Sequence, residues 1–185
     1  MDQNRAAELL GFLRIAGQLK QTARAGWVLR GIADPESVAD HTFRVCLLAL
    51  VLSREVEPAL DRERCLAMAL VHDLAESVVG DITPYDGIPV EEKHRREREA
   101  LRELGGVLGD GEVLALWEEY QAAATPEARF VKEMDKLETV LQAAEYQART
   151  GVELGEFRAM GEERLALPVS RTLFAALRAE WAQGS

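Results

Sequence analysis

Residues 70–81 read LVHDLAESVVGD. His72 and Asp73 stand side by side, Glu76 follows one helical turn later, and Asp81 lies just past Gly80. At about 100° per residue on a helix, Glu76 falls about 40° from His72 and about 60° from Asp73. The three side chains therefore share one sector. The preceding residues 65–71, CLAMALV, are almost wholly apolar, so the spacing predicts a largely buried helix. Desolvating a lone carboxylate costs several kcal/mol or more, and buried ions are therefore paired or bound to metal. A histidine and two acids converging inside an apolar element call for a cation, with further ligands supplied from elsewhere in the chain.

The 185 residues suffice for one domain with a substantial core, with no need of a metal or disulfide staple to hold it. Apolar residues make up 48% and charged residues 29%, with 32 acids against 22 bases and a net charge of −10. That balance argues against general binding to nucleic-acid backbones or anionic membranes, while a local basic patch can still receive a small phosphate. Cys46 and Cys65 sit in apolar helical contexts and read as reduced core residues, which fits a reducing cytoplasm. No apolar run approaches a membrane span and the N-terminus has no secretory pattern, so a soluble cytoplasmic protein is expected.

Outward from 70–81 every segment with a pattern is helical. Residues 4–20 carry Leu9, Leu10, Leu13, Ile15 and Ala16 at helical spacing. Residues 21–33, interrupted by Gly26 and Gly31, read as a loop around Trp27, which is either a packing anchor or a ligand platform. Asp34-Pro35-Glu36 predicts a helix start, with Asp34 as N-cap and Pro35 at the first helical position. The helix over 36–56 puts Val38, His41, Val45, Leu48 and Leu52 on one stripe, so His41 faces the core, as a hydrogen-bonded core histidine or a ligand. Asp61 caps the next helix, which runs to about Glu76 or Val79, and residues 80–89 form an irregular loop. A helix over 90–105 opens with the charged run EEKHRREREA, which reads as a solvated face with i to i+4 ion pairs and an exposed His94. A helix over 109–123 presents Leu114, Trp117 and Tyr120 on one side. Thr125-Pro126-Glu127 starts a long helix to about Arg149, with Asp135 beside an apolar stripe of Met134, Leu137, Leu141 and Ala144. Asp135 is a second anomaly, either a salt-bridge partner or a ligand. The rest is loop plus a terminal helix from Ser170, with Phe174 and Trp181 packing inward. No strand, repeat or linker is evident, and the expectation is an all-α, single-domain helical bundle over residues 1–185.

His41, His72-Asp73 and Asp135 form the order H…HD…D. Two imidazoles and two carboxylates suit a borderline or hard divalent ion such as Mn, Co, Fe, Ni or Zn. This ordered set, followed by Glu76 and Asp81, resembles the HD-domain metal-dependent phosphohydrolases, and within them the 5'-deoxynucleotidase group. The resemblance runs from GWVLRGIADPESVADH through LVHDLAESVVGDITPYDGIPVEEKHRRE and LWEEY to FVKEMDKLETVLQAAEY. It implies a bundle of the HD-domain type with a metal-site core at about 36–146. It also implies one divalent ion, Mg as well as Mn, Co, Fe, Ni or Zn, on His41, His72, Asp73 and Asp135. Glu76 and Asp81 match the family's HD-x-x-E-x(4)-D extension, which implies a second cation there assisted by the carbonyl of Ile82. The implied reaction is hydrolysis of deoxyribonucleoside 5'-monophosphates to deoxynucleoside and phosphate, with Glu76 and Asp73 as catalytic residues.

The chain departs from some members at the loop tryptophan. Where those carry Arg immediately before it, this chain has Gly26 before Trp27. The cationic partner of the phosphate is therefore open among Arg30, Lys93, Arg96 and Lys132. If Trp27 lies against the sugar, its indole offers a 2'-hydroxyl no partner and deoxyribonucleotides are preferred. Two alternatives remain. One is the same fold acting on a ribo-, cyclic, tri- or (p)ppGpp-like nucleotide. The other is a non-enzymatic, metal-bound ligand sensor. The resemblance also suggests a homodimer, for which the C-terminal helix with Phe174 and Trp181 offers a surface.

Overall fold

The computed structural model describes residues 1–109 and 111–183. Among them run α1 (Gln3–Ala16), α2 (Ala25–Val28), α3 (Val38–Leu52), α4 (Arg62–Val71) and α5 (Glu76–Val79). These are followed by α6 (Val90–Leu108), α7 (Glu112–Ala122), α8 (Pro126–Thr150), α9 (Gly155–Arg164) and α10 (Pro168–Gln183). No strand occurs among the described residues, in agreement with an all-α class. None of the helices is long and apolar enough to cross a membrane.

The chain divides into two compact units. One comprises Met1–Thr42 with Leu70–Glu118, the other Phe43–Ala69 with the chain from Glu119 onward. In the first unit α1, α5 and α6 pack against one another. The core there includes Leu19, Trp27, Val38, Leu101, Leu104 and Trp117. In the second, α9 and α10 lie on the long α8, around Met68, Phe130, Met134, Leu137 and Leu154. Each of these large side chains contributes roughly 1.5–3 kcal/mol through burial. Gly161 of α9 touches Phe174 of α10 so closely that a Cβ there would stand 2.7 Å from the ring.

Helix starts follow short polar side chains. Asp2 accepts the Arg5 N–H at 2.8 Å, Asp61 the Arg64 N–H at 3.0 Å and Thr125 the Ala128 N–H at 3.1 Å. Asp34 and Pro35 do not start α3 as expected. Residues 36–38 are held extended against 22–24, where Arg24 N–H donates to Glu36 O (2.9 Å) and Val38 N–H to Thr22 O (2.8 Å), around an antiparallel bridge between Ala23 and Ser37. The helix can begin only after that pairing. Ser37 then caps it, its hydroxyl accepting the Asp40 N–H (3.1 Å) while Asp40 accepts the Ser37 N–H (2.9 Å).

Three further expectations are corrected. Residues 21–33 contain the helical turn α2, closed by Leu29 N–H on Ala25 O at 3.0 Å. The segment after Gly151 holds an additional helix, α9, whose sequence GEFRAMGEER shows too little apolar periodicity to announce itself. Phe174 and Trp181 are buried within their own chain, 6% and 8% exposed, and offer no dimer surface. The large apolar side chains that are exposed on α3 are instead Phe43, Leu47, Leu50 and Val51. Of the expected helix over 109–123, Asp110 lies outside the described residues.

Candidate metal centre

The expected continuous helix through His72 and Glu76 ends as an α-helix at Val71 and tightens. Leu74 N–H donates to Val71 O (3.1 Å), Glu76 N–H to Asp73 O (3.0 Å) and Ser77 N–H to Leu74 O (3.1 Å), all i to i−3 bonds. Three residues per turn rather than 3.6 spreads the side chains wider than the expected narrow sector. α5 then stops at Gly80, whose φ of +76° is readily adopted only without a Cβ. That turn sends Asp81 back toward α2, where its carboxylate accepts the Ala25 N–H at 2.7 Å.

In the first unit His41, near the start of α3, joins His72 and Asp73. Each offers a ligand atom, and these atoms lie within 4.8 Å of one another. Asp73 Oδ2 is 3.1 Å from His72 Nε2 and 3.7 Å from His41 Nε2, and the two imidazole centroids are 5.5 Å apart. Both histidines are buried. Arg24, which no motif or periodicity in the sequence singles out, reaches the same oxygen with Nη1 at 3.4 Å. Burial alone would raise the Asp73 carboxyl. The His72 charge and hydrogen bond, with Arg24 and His41, overcome it and hold the carboxyl well below the usual range. Two imidazoles and an ionised carboxylate at this spacing are the donor set of a borderline divalent ion, and the residues fit one.

Around this trio lie four more ionisable groups of the same unit. Glu76 is 4% exposed, and its Oε2 is buried with no hydrogen-bond partner among the described residues. Burial first, then the Asp73 and Asp81 charges, push its carboxyl well above the ordinary range, against Arg24 and Lys93. The carbonyl of Ile82, implied as a ligand of a second cation, accepts the Lys93 ammonium at 2.8 Å. Lys93 Nζ also stands 3.6 Å from Glu97 Oε1, one turn along α6. The charged run predicts a solvated face that includes Glu97, and the structure corrects this. Glu97 is 4% exposed, its Oε2 lacks a hydrogen-bond partner among the described residues, and burial raises its carboxyl. The charged run is thus two-sided. Glu92, Arg95, Arg96 and Glu99 pair in solvent, while Glu97, Ala100, Leu101 and Leu104 face inward.

The remaining expected substrate residues are scattered. Trp27 is 2% exposed, and its indole N–H donates to Glu36 Oε1 at 2.8 Å. It anchors its loop and leaves no open ring face for a sugar. Arg30 donates to Gly26 O at 2.7 Å and lies 5.7 Å from the Tyr85 ring centroid. Arg96 pairs with Glu92 at 2.7 Å. His94 is half-buried rather than exposed, edge-on to Trp117. Asp135 and Lys132 belong to the second unit. Asp135 is buried on α8, accepting the Tyr120 hydroxyl (2.9 Å) and the Lys136 ammonium (2.8 Å). Lys132 Nζ sits 4.4 Å from the Tyr120 ring centroid. Both line an open cleft of about 380 Å³, shared with Arg129, Lys136 and Arg164.

Residues 16–166 match the family described as HD domain. A protein of Bos taurus named 5'-deoxynucleotidase HDDC2 is 50% identical over 145 residues, which are 77% of this chain and 69% of that one. The Homo sapiens protein of the same name is 48% identical over 145 residues, 77% of this chain and 70% of that one. In architecture the chain is similar to the crystal structure of the PH0347 protein from Pyrococcus horikoshii OT3. There the TM-score is 0.79 at 32% identity, covering 95% of this chain and 99% of the other.

Proposed function

The chain belongs to the HD domain family, and on that premise we propose that it is a metal-dependent 5'-deoxynucleotidase. Its reaction is the hydrolysis of deoxyribonucleoside 5'-monophosphates to deoxynucleoside and phosphate. The carrying observation is the convergence of His41, His72 and Asp73 within 4.8 Å, with Arg24 on one side and the buried Glu76 close in sequence. The names of relatives at 48–50% identity support the choice of substrate. His41, His72 and Asp73 hold the divalent ion. By the order of the motif in the sequence, Asp135 is its fourth ligand. A divalent ion there supplies Lewis-acid stabilisation of phosphoryl charge and acidifies water. Arg24, rather than Arg30 or Arg96, orients the phosphate, since it already lies against Asp73. Glu76 takes the proton of the attacking water, and its proximity in sequence to Asp73 and its burial both serve that role. With Asp81 and the Ile82 carbonyl, Glu76 also forms the place for a second cation.

We further propose that the two units serve one HD domain, that the protein works in the cytoplasm, and that it pairs as a homodimer over the exposed face of α3 that carries Phe43, Leu47 and Val51. The decisive assay is colorimetric phosphate release from a nucleotide panel, with metal-stripped protein and with added Mn²⁺ or Co²⁺. Release from dAMP, dCMP, dGMP and dTMP well above that from AMP, and only with metal, is the expected result. Preference for a cyclic, triphosphate or (p)ppGpp-like substrate would replace the proposed one. Full activity after stripping would remove the metal from the mechanism.

A further inference from the structure

We propose that Lys93 is a tethered cation standing at the place of the second divalent ion, and that Glu97 is the buried anion onto which its ammonium swings when that ion enters. The inference rests on the reading of Glu76, Asp81 and the Ile82 carbonyl as a second-cation site. Three observations carry it. The ammonium occupies the Ile82 carbonyl at 2.8 Å, so an ion using that oxygen must first displace it. The same ammonium is only 3.6 Å from Glu97 Oε1. The two residues are four apart on α6, so side-chain rotation alone converts one contact into the other. Glu76 Oε2 and Glu97 Oε2 are both buried without a hydrogen-bond partner among the described residues, and an arriving cation is one of the few things that account for such groups in a native fold.

The charges agree with this exchange. Lys93 acts on both carboxyls, opposing the burial that raises them. While the ion is out, the ammonium offsets the acids around Glu76. Once the ion is in, two cations at one carbonyl would repel, and Glu97 offers the ammonium a neutralising seat away from it. Lys93 thereby sets how readily the second site fills, and makes its occupancy depend on ion concentration more than on the first site.

Mn²⁺ titration of the metal-stripped full chain, read by electron paramagnetic resonance and by elemental analysis, tests this without assaying turnover. The second step is identified by its loss in Asp81→Asn. In Lys93→Met the second step should tighten roughly tenfold or more, within the usual range of coupling between neighbouring sites, while the first stays unchanged. Lys93→Arg, which keeps the charge, should leave the second step weak. Glu97→Gln should weaken the second step severalfold in the parent chain and by much less on the Lys93→Met background. Two ions per chain with an unaltered second affinity in Lys93→Met would overturn the proposal and leave the second-cation site standing. One ion per chain in both parent and Lys93→Met would overturn both. A second ion that appears only in Lys93→Met would support the lysine as its occupant. Equal weakening by Glu97→Gln on both backgrounds would overturn the role of Glu97.

Discussion

At Glu76 a carboxylate is buried close in the chain to two other acids, Asp73 and Asp81, whose charges both oppose its ionisation. Such a group costs stability in the metal-free protein and is retained for what it does. Glu76→Gln removes the charge and keeps the shape. It should lower turnover by roughly 10²–10⁴-fold, the scale of a positioned acid or base. First-site metal content should be kept, and the melting temperature of the metal-free protein should rise. Turnover, metal content and melting measured on one preparation check all three, and a variant with turnover intact would return Glu76 to a structural role. The same physics explains what could be read in advance. His72, Asp73 and Glu76 stood out because charged side chains after an apolar run violate ordinary burial. Glu97 did not, because it sits among alternating charges that look solvated from end to end. Arg24 stayed hidden for another reason. It meets Asp73 across 49 residues of chain, from a segment paired with residues 36–38, a non-local contact with no periodic signature.

Elements were legible where a cap and an apolar stripe coincided. Thr125-Pro126 at the start of α8 and Asp61 before α4 are both in use. Asp34-Pro35 suits a turn as well as a helix start, and extended backbone pairing up to Val38 decides between them. α9 is not legible in the sequence because its stability comes from packing rather than from its own pattern. That packing yields a test. At Gly161 a Cβ would stand 2.7 Å from Cε2 of Phe174, a ring only 6% exposed with little room to retreat. Overpacking costs about 1–3 kcal/mol, against about 0.5–1 kcal/mol that alanine gains over glycine in a helix. Gly161→Ala should therefore lower stability by about 1 kcal/mol, and at most about 2.5 kcal/mol, in urea unfolding, with activity per folded molecule unchanged. Gly161→Ala combined with Phe174→Leu should recover part of the loss. A single variant more stable than its parent would mean that α9 shifts freely on α10.

For the molecule as a whole, the metal is a ligand of the folded state, and its ligands come from distant parts of the sequence. His41 and His72 are 31 residues apart and converge only when the first unit is folded. An unfolded chain cannot gather them, so binding must stabilise the native state. At a free ion concentration 100 times the dissociation constant the gain is about 2.7 kcal/mol. For a chain of 185 residues, that corresponds to a rise in melting temperature of about 5–10 °C. Mn²⁺ added to metal-stripped protein should produce this rise in a concentration-dependent way, and a strong chelator should reverse it. His72→Ala should flatten the response, because the loss of one imidazole removes a ligand without adding charge. Asp135→Asn should flatten it too if Asp135 is the fourth ligand; an undiminished shift in that variant would strike Asp135 from the set. Lys93→Met should keep the shift at low ion concentration and extend it at high concentration, since only the second site gains affinity. A parent protein whose melting point ignores Mn²⁺ across this range, while its histidines and Asp73 remain folded as described, would mean that these residues hold no ion in solution.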